Sequence, residues 1–216
     1  MKAKTLAWLS LALLAATLLS IAIIDRPLAL LISEQLRGAT QIAGGLTTAL
    51  EWIFAFDLSK YLYAFVFLLV GMVLNVWKRS LTPARVWYFL GSTLLLSRVI
   101  SGTLKNVFER VRPFEWIKSR ASADFFVDGG SAFPSGHAAF YFGLFLPLAM
   151  LYPRFKWVFL AFAFVAALAR VFEQDHYLSD ILASALVAVL LAFGLAKAFR
   201  IQPLATLQTS IRENRV

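Results

Sequence analysis

The feature that most constrains this chain is its succession of long apolar runs, near 5–24, 60–77, 86–104, 136–152, 157–172 and 179–199. A helix rises about 1.5 Å per residue, so runs approaching 20 residues match the roughly 30 Å of hydrocarbon in a bilayer. With 60% hydrophobic residues and a mean hydropathy of +0.74, the chain is more apolar than soluble domains, which sit near 45–50%. The pattern predicts an all-α fold, a six-helix transmembrane bundle making one integral membrane domain over 1–216.

Charge sets the expected orientation. The net charge is +9, but no long basic run or basic-aromatic platform points to nucleic acid. The cations instead bracket the runs. Lys2 and Lys4 precede the first, Lys78, Arg79 and Arg85 follow the second, Arg154 and Lys156 follow the fourth, and Lys197, Arg200, Arg212 and Arg215 follow the sixth. By the positive-inside bias these ends are cytoplasmic. Both termini are then expected inside, with the loops at 25–59, 105–135 and 173–178 outside. The first run, longer than a usual signal-peptide core, reads as an uncleaved signal anchor. The absence of cysteine excludes disulfides and thiolate metal sites.

Between the first two runs, about 26–59 reads as an amphipathic interfacial segment. Leu28, Leu30, Leu31, Ile32 and Leu36 alternate with polar residues, and Gly38, Gly44 and Gly45 are expected to interrupt the helix. Trp52, Phe54 and Phe56 suit the headgroup level. The segment is expected to be a packing element, with a lateral lipid gate as the alternative. Arg98, inside the third run, is expected to face the bundle, more as a structural partner for a carbonyl or carboxylate than as a substrate contact. The polar loop from Val111 to Phe133 is expected to cover the site.

Three short motifs fall on the expected outer face. Lys105 and Arg112 are seven residues apart, which would align them on one helical face if the third helix continues towards Pro113. Such a pair suits the oxygens of a phosphate, and equally suits side chains snorkelling to the membrane edge. In Pro134-Ser135-Gly136-His137, a Ser and a Gly open an apolar helix whose free N–H groups would attract an anion, or the Ser is an ordinary N-cap. His176 and Asp180 are four apart on the first turn of the last helix, where the carboxylate could orient the imidazole or simply cap the helix. Arg170 stands just across the turn, and Asp175 is either solvated or paired with an outer cation.

Taken in order, Lys105-x6-Arg112-Pro113, Pro134-Ser135-Gly136-His137 and Arg170-x5-His176-x3-Asp180 resemble the three-part signature of the type 2 phosphatidic acid phosphatase (PAP2) superfamily, in its membrane branch. The resemblance covers about residues 105–180. It departs from the usual pattern at Ala169, where that family usually has Ser before the arginine. The resemblance implies His176 as the nucleophile forming a phosphohistidine, Asp180 as its orienting partner and His137 as the acid for the leaving oxygen. Lys105, Arg112, Ser135, Gly136 and Arg170 would hold the phosphoryl group. It implies a metal-independent lipid phosphatase of the bacterial inner membrane, its site facing the periplasm. Lipid A 1-phosphate, undecaprenyl pyrophosphate and phosphatidylglycerophosphate are candidate substrates. Arg110, Lys118 and Arg120 are expected to add to the attraction for an anionic headgroup. A lipid phosphotransferase, or a non-catalytic lipid-phosphate binding or transport protein, are the alternatives. No cofactor is implied, and a catalytic metal is not expected where each histidine sits beside cations.

Overall fold

The computed structural model describes residues 3–56, 58–77, 81–119, 126 and 129–202. Lys2, Lys78, Arg79, Arg120, Arg212 and Arg215, and residues 121–125, 127 and 128 of the expected covering loop, lie outside the described residues. Within them all regular structure is helical. The six expected runs each fall in helix, with different bounds.

The chain opens with α1 (Ala3–Leu19), which passes through a π-helical turn (Ser20–Ile24) into α2 (Asp25–Gln35). The break expected after residue 24 is therefore absent. The Asp25 N–H reaches back five residues to the Ser20 carbonyl, and Ser20 Oγ donates to Asp25 Oδ1 at 2.7 Å. Pro27 is tolerated because it lies in the first turn of α2, where an N–H is dispensable. α3 (Arg37–Ile53) runs without interruption through Gly44 and Gly45, burying Ala43, Thr47 and Leu50 on one face. Gly44 faces Glu173 within the unbroken helix, and a Cβ there would make an ordinary contact, 3.6 Å from Oε1.

α4 (Leu62–Trp77) and α5 (Leu81–Phe108) pack tightly against each other. At Gly91 an added Cβ would stand 3.0 Å from the Ala64 carbonyl oxygen, so the missing side chain sets how near the two backbones come. A short α6 (Pro113–Ser119) precedes α7 (Gly136–Leu151), which packs on α5, α8 (Lys156–Phe172) and α9 (Leu178–Ala198). Its neighbours are largely small or aromatic: Leu94, Phe140, Tyr141, Leu144, Ala163 and Ala166 form one buried cluster. Ile32, Ala138, Ala167, Val171 and Ile181 form another, nearer the end where the motifs lie.

Three helical stretches, Lys4–Gln35, Pro153–Phe172 and Leu178–Ala198, are long and apolar enough to cross a membrane, and Leu62–Trp77 and Gly136–Leu151 are shorter apolar helices. Large apolar side chains such as Trp8, Trp77, Val158 and Trp157 stay exposed. In water such a surface would be a liability; against lipid it is the ordinary one.

Candidate active site

The first motif bends where a continuous helix was expected. α5 stops at Phe108, and Glu109 takes a positive φ of 41°, so Lys105 and Arg112 do not share a helical face. They reach the same place from different elements. Lys105 Nζ donates to the Ser131 carbonyl, and Arg112 Nη2 donates to Ser131 Oγ at 3.3 Å.

The bend also turns Arg110 inward. Its side chain is fully buried, pairing with Asp25 at 2.7 Å and with Asp180. It is therefore a core cation, not the headgroup attractor expected from sequence. Lys118 lies over the Phe114 ring and outside the lining of the cavity described below. The returning strand of chain lies directly on the bend: Gly130 N–H donates to the Glu109 carbonyl at 2.9 Å and Ala132 N–H to the Arg110 carbonyl at 2.8 Å. A Cβ on Gly130 would overlap the Arg110 backbone, which is why glycine is needed there.

The second motif caps α7. Ser135 Oγ accepts from the Ala138 N–H at 3.3 Å, and its own N–H donates to the Asp180 carbonyl at 3.2 Å. The Ser135 hydroxyl, an acceptor in that bond, keeps its proton to donate; Ser135 does not line the cavity, whereas Gly136 and His137 do. The Gly136 carbonyl accepts from Arg98, the structural partnership expected for that arginine, although Arg98 lines the cavity too. The His137 ring stacks on Phe56 with centroids 4.9 Å apart. His137 Nε2 lies 2.8 Å from Glu51 Oε1 without forming a hydrogen bond, a contact that becomes a charge pair when the ring is protonated.

The third motif spans the end of α8 and the start of α9. Arg170 pairs with Glu173 at 2.6 Å and with Asp175, and Asp175 also faces Arg112 at 3.4 Å. Asp175 is therefore paired with cations. Ala169, standing where the resembled family has Ser, is buried in α8. Burial lifts the Glu173 carboxyl above its ordinary range, with Arg170 opposing.

His176 precedes α9 and is 2% exposed. Its Nδ1 lies 2.8 Å from the Ala132 carbonyl and 3.4 Å from Asp180 Oδ2. A carbonyl only accepts, so Nδ1 carries the proton and Nε2 holds the lone pair. Burial, then the Lys105, Arg170 and Arg112 cations, hold the His176 pKa well below its ordinary value, so the ring is neutral. Asp180 combines the two readings open in the sequence: besides flanking His176 it accepts from the Tyr177 N–H at 2.8 Å, closing the helix cap.

These groups surround a cavity of about 480 Å³. Lys105, Arg112, Gly136, His137, Arg170 and His176 line it; Asp180 and Ser135 stand behind. Sequence reasoning missed Lys60, a further cation of the lining, and Glu51 and Phe56, brought in by the end of α3. A solitary acid just before the aromatic run of 52–56 was the only available signal. Among the described residues no group of His, Cys, Asp and Glu is placed to hold a metal ion. The arrangement can hold a compact polyanion beside an unprotonated imidazole.

No solved structure matches this chain. Among curated proteins, it is 32% identical over 129 positions to a lipid A 1-phosphatase of Rhizobium johnstonii, covering 54% of this chain and 48% of that protein. A lipid A 1-phosphatase of Rhizobium etli is also 32% identical over 129 positions, covering 54% and 50%. The chain thus spans about half the length of the curated relatives it matches. The sequence profile of the PAP2 superfamily matches residues 85–202, a stretch that contains all three motifs and every cavity cation except Lys60. The chain belongs to the PAP2 superfamily.

Proposed function

We propose that this protein is an integral-membrane lipid phosphatase that removes a terminal phosphate from an outer-leaflet lipid, with lipid A 1-phosphate the leading substrate. Undecaprenyl pyrophosphate and phosphatidylglycerophosphate are the next candidates. The observation that carries the reading is the cavity, where Lys60, Arg98, Lys105, Arg112 and Arg170 converge around the neutral imidazole of His176. Five cations facing one compact space suit a phosphoryl group and little else. The substrate class is supported by the printed names of the two rhizobial relatives.

In the proposed mechanism the Nε2 lone pair of His176 attacks phosphorus, forming an N–P bond as the bond to the leaving oxygen breaks. His137 gives that oxygen a proton. The ring, still protonated on Nδ1 towards the Ala132 carbonyl, becomes a phosphorylated cation, which the Asp180 carboxylate stabilises. Water then attacks phosphorus, returns its proton to His137, and releases phosphate as the N–P bond breaks. The surrounding cations act on the three outer oxygens, where positioning and electrostatics supply the acceleration.

The proposed setting is a single six-span domain of a bacterial inner membrane, both termini cytoplasmic and the cavity open to the periplasm. It is supported by the apolar helices and by the clustering of basic residues at the ends away from the motifs. The deciding experiment measures free phosphate released from purified lipid A, undecaprenyl pyrophosphate and phosphatidylglycerophosphate in detergent with EDTA, comparing wild type with His176→Ala. Release from one lipid, lost in the variant, is the expected result. A doubly phosphorylated lipid appearing without free phosphate would replace hydrolysis by transfer, and release surviving in His176→Ala would overturn the mechanism.

A further inference from the structure

Behind His176 lies a buried charge cluster that the mechanism above uses only in part. Arg110, Asp180 and Asp25 are each at most 1% exposed. Arg110 Nη2 donates to Asp25 Oδ2 at 2.7 Å, while Arg110 Nη1 donates to Asp180 and, at 2.7 Å, to Ser179 Oγ. Asp25 is held from three further sides. Ser20 Oγ donates to it at 2.7 Å, the Ser179 N–H at 3.1 Å, and the Ser179 hydroxyl as well. This carboxylate comes from the α1–α2 junction, outside the stretch matched by the family profile, and meets the loop that carries His176.

The charges make the arrangement informative. A guanidinium paired with Asp180 alone would cancel the carboxylate that faces His176, leaving nothing to answer the positive charge the ring gains when Nε2 bonds phosphorus. Asp25 divides the attention of Arg110. Lys105, Arg112 and Arg170 also bear on His176, and each opposes a positive ring, while Asp175 favours it. We propose that Asp25 is a positioning residue of the catalytic site, whose carboxylate takes up part of the Arg110 charge and so leaves the buried cluster net negative towards His176. The inference rests on the phosphatase reading, which supplies the step in which the ring becomes cationic.

The test is a charge-compensation cycle. Asp25→Asn, Arg110→Gln and the double variant are purified in detergent. Phosphate release is measured from lipid A and from dioleoyl phosphatidic acid, alongside binding of orthovanadate, which takes up the five-coordinate geometry of the transferring phosphoryl group. Asp25→Asn lowers kcat about tenfold or more with KM nearly unchanged, and weakens vanadate by a similar factor. The double variant restores the net charge around Asp180 and recovers a large part of both losses. A buried pair serving only as structure predicts recovery of the unfolding temperature in the double variant but no loss to recover in activity, the folded Asp25→Asn protein keeping its kcat and vanadate affinity.

Should Asp25→Asn not fold, the double variant decides: folded and inactive, it overturns the proposal, and failure of both to fold makes Asp25 a residue of folding and overturns it equally. An active wild type with Asp25→Asn unimpaired refutes this inference alone. A wild type that neither releases phosphate nor binds vanadate refutes the phosphatase reading and this inference with it.

Discussion

Glu51 presents a carboxylate to a cavity built for an anion, and replacing it with glutamine separates two explanations of its presence. The oxygen lies 2.8 Å from His137 Nε2, the nitrogen proposed to protonate the leaving oxygen, and 4.0 Å from Arg170. Coulomb's law at an effective dielectric of about 20 gives about 6 kcal/mol for unit charges at the shorter separation. The Glu51 side chain is 33% exposed and that of His137 20%, so solvent screening brings the pair down to just above the ~1 kcal/mol ceiling of fully exposed pairs, about 1–1.5 kcal/mol to a protonated His137. Glu51→Gln is therefore expected to slow turnover of an alkyl phosphate, whose leaving alkoxide needs a proton, by about tenfold. With p-nitrophenyl phosphate, whose phenolate departs unprotonated, the loss should be under about twofold, or reversed as repulsion of phosphate is relieved. The assay is kcat on both substrates with the same preparation. An equal loss on both would refute a role through His137.

The His176 pKa, depressed first by burial and then by Lys105, Arg170 and Arg112, fixes a pH dependence. The neutral ring is the proposed nucleophile, so the acid limb of kcat/KM should fall below pH 6.5, the ordinary histidine value, and Arg112→Gln should move it upward by removing one of those cations. Because the folded ring takes its proton at lower pH than the unfolded one, its contribution to stability is complete above about pH 6.5 and declines as pH falls through the interval beneath; denaturation in detergent across pH 4–8 measures this. Gly91→Ala should lower the unfolding temperature, since its Cβ would sit 2.8 Å from Leu68 Cγ and 3.0 Å from the Ala64 oxygen, a clash of about 1–3 kcal/mol. Gly194→Ala, with open space around it, should be neutral or gain up to about 1 kcal/mol. Gly130→Ala forces the chain off the Arg110 backbone and displaces the Ala132 carbonyl from His176, so activity should fall by more than about tenfold with the helical circular dichroism retained.

The helices were legible because each apolar run answers to one rule, the hydrocarbon thickness, whatever its neighbours do. Much of the cavity was legible for a related reason: Lys105, Arg112, His137, Arg170 and His176 all sit where an apolar run ends, and the ends of packed helices meet. What the sequence hid depends on how one element lies on another. Helical spacing puts Lys105 and Arg112 on one face, but the positive φ at Glu109 ends the helix and carries Arg110 into the core. Ser135 could cap α7 or meet phosphate by its identity alone; only the packing shows the cap, with its hydroxyl accepting from the Ala138 N–H and its own N–H donating to the Asp180 carbonyl. Gly44 and Gly45 looked like helix breakers because propensity alone does not register the packing of α3 on α8.

Glu51 and Asp25 were hidden for that same reason, and they share a physical role. A site for a phosphoryl group gathers cations, and those that hold the substrate also oppose every protonated or phosphorylated imidazole the chemistry needs. Each histidine therefore requires a carboxylate shielded from full neutralisation by the surrounding cations. His176 has Asp180, at 3.4 Å, with Asp25 sharing the buried Arg110; His137 has Glu51 at 2.8 Å. Asp25 and Glu51 both come from the first 53 residues, on α2 and α3, before the family-matched stretch begins. The matched stretch supplies the proposed nucleophile and most of the cavity cations, while the helices ahead of it supply carboxylates. Replacing those leading helices while keeping 85–202 intact should then lower kcat by about 100-fold, the product of two independent losses of about tenfold each, while vanadate affinity falls only about tenfold, the share that acts through His176.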